Sequence, residues 1–129
     1  MDNFNITFLM TSNGQTQTYK ATELKKNKEM YRISFLATDD SKNFYSVTVV
    51  NKSKIIFACK GMISYSFSLE RGKTSKFIID MLNSPIECEV YCSSLNVSIL
   101  GDKINVNGKY KLDVGGNVNL YDFTLGGNL

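Results

Sequence analysis

Histidine is absent from the chain, and with it go the commonest general base, the usual nucleophile–imidazole pair and the commonest zinc ligand. Carboxylate chemistry would need two acids aimed at one point. Glu87 and Glu89 alternate with Ile86, Cys88 and Val90, which sets both on the solvent side of a strand, not across a site. Asp39-Asp40 falls in turn chemistry, where short carboxylates cap or solvate a loop. Cys88 and Cys92 lie four apart in an extended segment, about 13 Å between Cα atoms at ~3.3 Å per residue, too far for a disulfide. That spacing, with no second pair, does not suit a zinc knuckle. Cys59, Cys88 and Cys92 each fall on an apolar stripe, where a thiol packs as a small hydrophobe. Lys60 follows Cys59 and should face the other way, leaving that thiol without a basic neighbour. Gly72-Lys73-Thr74 ends like a phosphate loop, but Phe67 stands where that motif needs its first glycine. The stretch reads as a hairpin turn with a basic rim. The residues thus predict no enzyme, no metal centre and no cofactor.

The elements that carry these residues alternate with a period of two. The clearest run sets Ile63, Tyr65, Phe67 and Leu69 on one face and Ser64, Ser66 and Ser68 on the other, the pattern of an antiparallel strand with one buried side. It recurs at Phe4/Ile6/Phe8/Met10, Tyr31/Ile33/Phe35, Tyr45/Val47/Val49 and Ile55/Phe57/Cys59. It continues at Ile86/Cys88/Val90/Cys92, Leu95/Val97/Ile99, Ile104/Val106 and Tyr110/Leu112/Val114, and ends with Val118/Leu120 backed by Tyr121/Phe123/Leu125. Turn residues punctuate these runs: Ser12-Asn13-Gly14, 25–28, 38–43, Asn51-Lys52-Ser53, Lys60-Gly61, Glu70-Arg71-Gly72, Asn83-Ser84-Pro85, Gly101-Asp102 and Gly115-Gly116. Alternation runs on across Asn107-Gly108, which predicts a bulge or bend inside one strand. Two readings stay open for 74–82: a strand like its neighbours, or a short helix with Phe77, Ile78, Met81 and Leu82 at helical spacing and Lys76/Asp80 paired.

Many short sequential strands joined by tight turns predict an all-β fold: a closed or nearly closed antiparallel up-and-down barrel of about eight strands, spanning 1–129 as one domain. Closure removes the two unpaired edges a long meander would carry; a two-sheet sandwich is the competing arrangement. The length of 129 residues and hydrophobic content of 43% suit one globular core. A net charge of +3 falls short of a dedicated nucleic-acid binder, and most lysines sit in turns, so nucleic-acid binding is disfavoured. Nothing is apolar enough to span a membrane, the start does not read as a signal peptide, and three unpaired cysteines fit a reducing cytoplasm.

A family resemblance rests on an ordered set of segments. Val47-Thr48-Val49-Val50-Asn51-Lys52 leads to Lys60-Gly61 and then to Ser66-Phe67-Ser68-Leu69-Glu70-Arg71-Gly72-Lys73. Pro85-Ile86-Glu87-Cys88-Glu89-Val90-Tyr91 and Leu95-Asn96-Val97 follow, before Tyr110-Lys111-Leu112-Asp113-Val114-Gly115-Gly116. The chain resembles the YwiB-like family of uncharacterised bacterial proteins. That resemblance implies a lipocalin-like, calycin-type barrel in a bacterial cytoplasm, and it brings no catalytic residues. The chain departs from the pattern in two places: Met81-Leu82-Asn83-Ser84 replaces a Thr-Pro-aromatic-Gly turn, and the basic residue that family members tend to carry near Cys59 is not matched, since Lys60 should face the other way.

The expected function is that of a barrel binding one small apolar or anionic ligand inside, with Arg32, Phe57, Tyr65, Phe67 and Tyr110 as the candidate lining. Arg32 flanks Tyr31 and Ile33 on the opposite face, and would need an anionic partner if it pointed inward. The alternative is an interaction or homodimerising module with a packed interior and outward aromatics at Tyr45, Tyr91 and Tyr121.

Overall fold

A computed structural model describes residues 4–28, 30–36, 43–81 and 84–129. The expectations for Asp39-Asp40 and most of loop 38–43, and for Leu82 and Asn83, lie outside the described residues. The strands are β1 (Asn5–Ser12), β2 (Gln15–Asn27), β3 (Met30–Leu36), β4 (Phe44–Asn51) and β5 (Lys54–Lys60) in the first half. The second half holds β6 (Ile63–Glu70), β7 (Thr74–Met81), β8 (Ser84–Leu100), β9 (Lys103–Val114) and β10 (Asn117–Asn128). Each strand pairs antiparallel with its sequence neighbours, and β1 pairs with β10 to close the barrel. The meander and its closure are as expected, with ten strands where about eight were counted.

The strand the count missed is β2. Its sequence, QTQTYKATELKKN, carries no continuous apolar stripe, and only Tyr19, Ala21 and Leu24 turn inward among exposed polar neighbours. Pairing on both sides makes it a strand. The helical option for 74–82 is not taken up: residues 74–81 form β7, paired along its whole length with β8, and Phe77 and Ile79 face inward while Ile78 is exposed. The helical spacing arose because Ile78 is an outward residue.

The longest ladders in the wall are those of β9 with β8 and with β10, twelve paired positions each. Asn107-Gly108 does lie inside one strand, and the irregularity sits just beyond it, as a register shift between Cys92 and Ser94 opposite Tyr110 and Lys109. Glycine is required at 108 because a Cβ there would meet the Ser94 carbonyl at 2.5 Å and the Phe123 ring at 2.9 Å. The backbone gives way to that ring. One seam of the barrel is weakly laced: β6 and β7 pair only at Ile63/Met81 and Ser64/Asp80. The turn that joins them bonds to β8 instead, with Cys92 N–H donating to the Lys73 carbonyl and Gly72 N–H to the Cys92 carbonyl. Side chains fill the remaining seam, Phe67 against Phe77 at 4.9 Å and Ser68 Oγ 3.4 Å from Ser75 Oγ.

Inward residues change character along the barrel axis. Toward the turns at 52–53, 71–72 and 101–102 the interior is packed with Ile6, Ile33, Val49, Ile55, Leu69, Val106 and Leu125, each at most 1% exposed. A layer of phenylalanines follows, Phe8, Phe35, Phe57, Phe67 and Phe123, with rings 5.1–6.1 Å apart in tilted or edge-on contacts. Toward the turns at 13–14, 61–62 and 115–116 the inward positions become tyrosines.

Candidate ligand site

The tyrosine end holds a cavity of about 280 Å³. Its floor is the phenylalanine layer, through Phe8, Phe35, Phe57 and Phe67, with Phe77 from β7. Its walls are Met10, Tyr19, Tyr45, Tyr65, Tyr110 and Tyr121, with Ile79 and Leu112, and Gln17 stands at the rim. Register explains why the phenols gather. Tyr45 pairs with Cys59, Cys59 with Tyr65, and Tyr110 with Tyr121, so inward positions on β4, β5, β6, β9 and β10 fall at a common level. Tyr19, opposite Phe8, reaches the same level from β2.

The hydroxyls are unequally satisfied. Tyr19 donates to Gln17 Oε1 across the rim. Tyr45 engages the Cys59 thiol, whose Sγ also donates to the Ile63 carbonyl at 3.3 Å. Tyr110 is 4% exposed, and its hydroxyl meets only the Met10 thioether, at 3.7 Å, a weak acceptor. Tyr65 has no hydrogen-bond partner among the described residues. Burial holds the Tyr65 phenol far above its ordinary range, reinforced by Cys59 and the phenols of Tyr45, Tyr121 and Tyr19. Burial does the same for Tyr110, reinforced by Tyr65 and Tyr121. Both remain protonated donors through any physiological pH. Among the described residues, no lysine, arginine, aspartate or glutamate lines the cavity.

Four of the five residues expected inside are there: Phe57, Tyr65, Phe67 and Tyr110 line one cavity and touch one another through Phe57–Phe67, Tyr65–Phe67 and Phe67–Tyr110 contacts. Arg32 is not among them. It is exposed on the outer wall, paired with Lys25 and Thr48, because its neighbour Ile33 takes the inward position. Tyr45 and Tyr121, expected on the outside, face inward. The stripes they belong to, Tyr45/Val47/Val49 and Tyr121/Phe123/Leu125, are the buried ones, and that shared parity was the signal that identifies them. Tyr91 does face out, opposite Val90 and Cys92, and is 39% exposed. Glu87 and Glu89 are exposed on the same outer face of β8. All three cysteines are free and buried, and burial pushes each thiol up from its ordinary value.

No family model matches the chain, and no curated protein matches it. Among solved structures, the crystal structure of the ywiB protein from Bacillus subtilis superposes with a TM-score of 0.71. The match spans 97% of this chain and 88% of that one, at 13% sequence identity. At that identity the likeness concerns the fold: this chain has the architecture of the ywiB barrel.

Proposed function

We propose that this chain binds a small, largely apolar molecule inside its barrel, as lipocalin-like barrels do in the general sense of enclosing one ligand. The observation that carries the reading is the open volume of about 280 Å³ on which five tyrosines converge. Ten strands enclose more space than the packed end of the barrel uses, and the surplus is gathered in one place. An apolar cavity of ~150 Å³ takes one benzene, so this one suits about two rings, near the lower end of ordinary ligand pockets. The reading makes the protein a binder without catalysis or cofactor, located in a bacterial cytoplasm. Its three free, buried thiols are in keeping with a reducing compartment.

Native mass spectrometry of the protein purified gently from its natural host tests this. The expected result is a small-molecule adduct lost on collisional activation and absent from an Ile79→Trp variant, whose indole fills the cavity. Bare protein, or an adduct retained by that variant, counts against the proposal.

A second reading, a homodimer, is favoured by the outer face near β10, where Leu120 is 69% exposed and Val118 53%, beside Tyr91. Exposed large apolar side chains gathered this way are a common mark of an interface. Sedimentation that stays monomeric up to millimolar concentration removes it.

A further inference from the structure

We infer that the cavity's ligand is an uncharged aromatic of about two rings, whose carbonyl oxygen accepts from the Tyr110 hydroxyl with Tyr65 as a second donor. This rests on the ligand-binding reading and narrows it to a chemical class. The first argument is charge. Among the described residues the lining holds no ionised side chain, and a carboxylate or ammonium brought against those walls would lose its hydration with no opposite charge from them in return. The second is the state of the donors. Tyr110, almost fully enclosed, has only a thioether 3.7 Å away for its O–H. Tyr65 also reaches the cavity and has no partner among the described residues. The enclosed Tyr110 hydroxyl has only a weak acceptor, the Tyr65 hydroxyl opens onto the cavity, and a carbonyl oxygen has two lone pairs with which to accept from both.

The third argument is ring orientation, which separates a carbonyl ligand from a cationic one. An aromatic cage for an ammonium presents ring faces. Here Tyr65 stacks on Phe67 at 5.9 Å and 16°, and Tyr110 stacks on Tyr121 at 5.0 Å and 15°. A neighbouring ring lies against one face of each phenol, which takes that face from a cation and leaves the hydroxyl edge open to a guest. The apolar floor of Phe8, Phe57 and Phe67 then suits an aromatic body, since edge-on and offset ring contacts add to plain burial.

Four naphthalenes of similar bulk test the class by calorimetric titration into the full-length protein: 2-acetylnaphthalene, 2-ethylnaphthalene, 2-naphthoate and the 2-naphthyltrimethylammonium ion. The ketone should bind about tenfold tighter than its ethyl analogue, the gain expected of one or two buried hydrogen bonds, and tighter than either ion. Tyr110→Phe should shrink the ketone-to-ethyl ratio to threefold or less, a change that a merely structural role would not produce. Tyr65→Phe should shrink it by a smaller factor. Equal binding of ketone and ethyl analogue overturns the inference while leaving the ligand-binding reading intact. So does stronger binding of either ion, or a ratio that Tyr110→Phe does not move. If none of the four binds, the ligand-binding reading falls and takes the inference with it.

Discussion

Tyr110 and Tyr65 illustrate how far a neutral side chain can be specialised by its surroundings alone. Both phenols are held protonated by burial and by neighbouring phenols, and this has a consequence for stability. In the unfolded chain they ionise near pH 10; in the folded chain they do so at higher pH. Above about pH 10 the unfolded state therefore releases protons that the native state keeps, and the free energy of unfolding falls with rising pH. Below that pH the contribution is fully present. Urea unfolding at pH 8, 10 and 11 should register this decline, and the double variant Tyr65→Phe/Tyr110→Phe should flatten it. The buried thiols should be shielded as well, so that a thiol-reactive disulfide reagent labels Cys59, Cys88 and Cys92 only as fast as the chain opens. Arg32, exposed on the outer wall, should be dispensable to binding: Arg32→Ala leaves ketone affinity unchanged in the same titration. At this scale the sequence is legible wherever a stripe has one clear parity, which is why Phe57, Tyr65, Phe67 and Tyr110 could be named. Tyr45 and Tyr121 are harder to read, because a phenol suits an inner wall and an outer interface equally well. The parity they share with Val47 and Val49, and with Phe123 and Leu125, decides their side, and pairing with Cys59 and with Tyr110 sets their level.

Among the elements, the strongly patterned strands were readable and the polar one was not. β2 is held by ladder bonds to β1 and β3 and contributes few core side chains, so pairing and not its own amphipathicity makes it a strand. β7 was ambiguous because an exposed Ile78 imitates a helical face. The register shift at Cys92/Ser94 is equally silent in sequence, yet it is coupled to Gly108, where Phe123 packs against bare backbone. Gly108→Ala should force the Ser94 carbonyl and Phe123 to move, destabilising the fold by about 1–3 kcal/mol, the usual cost of overpacking, as read by urea midpoint. The β6–β7 seam carries its own expectation. Amides of β6 between Tyr65 and Glu70 that face β7 have no ladder partner there, so they should exchange with deuterium well ahead of those in the β8–β9 ladder. Equal protection in the two places would mean that the seam is laced in solution.

For the molecule as a whole, closure organises everything else. Ten antiparallel strands close on themselves, with the β6–β7 seam the weakly paired stretch; one end of the lumen is filled by aliphatic side chains, and the other is ringed by phenols around open space. Alternation and turn spacing sufficed to anticipate a meander and its closure. They could not anticipate the cavity, because an unfilled volume depends on strand number and on which inward positions share a level. Both follow from register between strands distant in sequence. The account turns on whether that volume is a binding site, and chemical-shift mapping with isotopically labelled protein and 2-acetylnaphthalene tests it most directly. Saturable shifts confined to Tyr65, Phe67, Phe77, Tyr110 and their immediate neighbours are the predicted result. Shifts absent at saturating ketone, or gathered on the outer face around Tyr91, Val118 and Leu120, would contradict it.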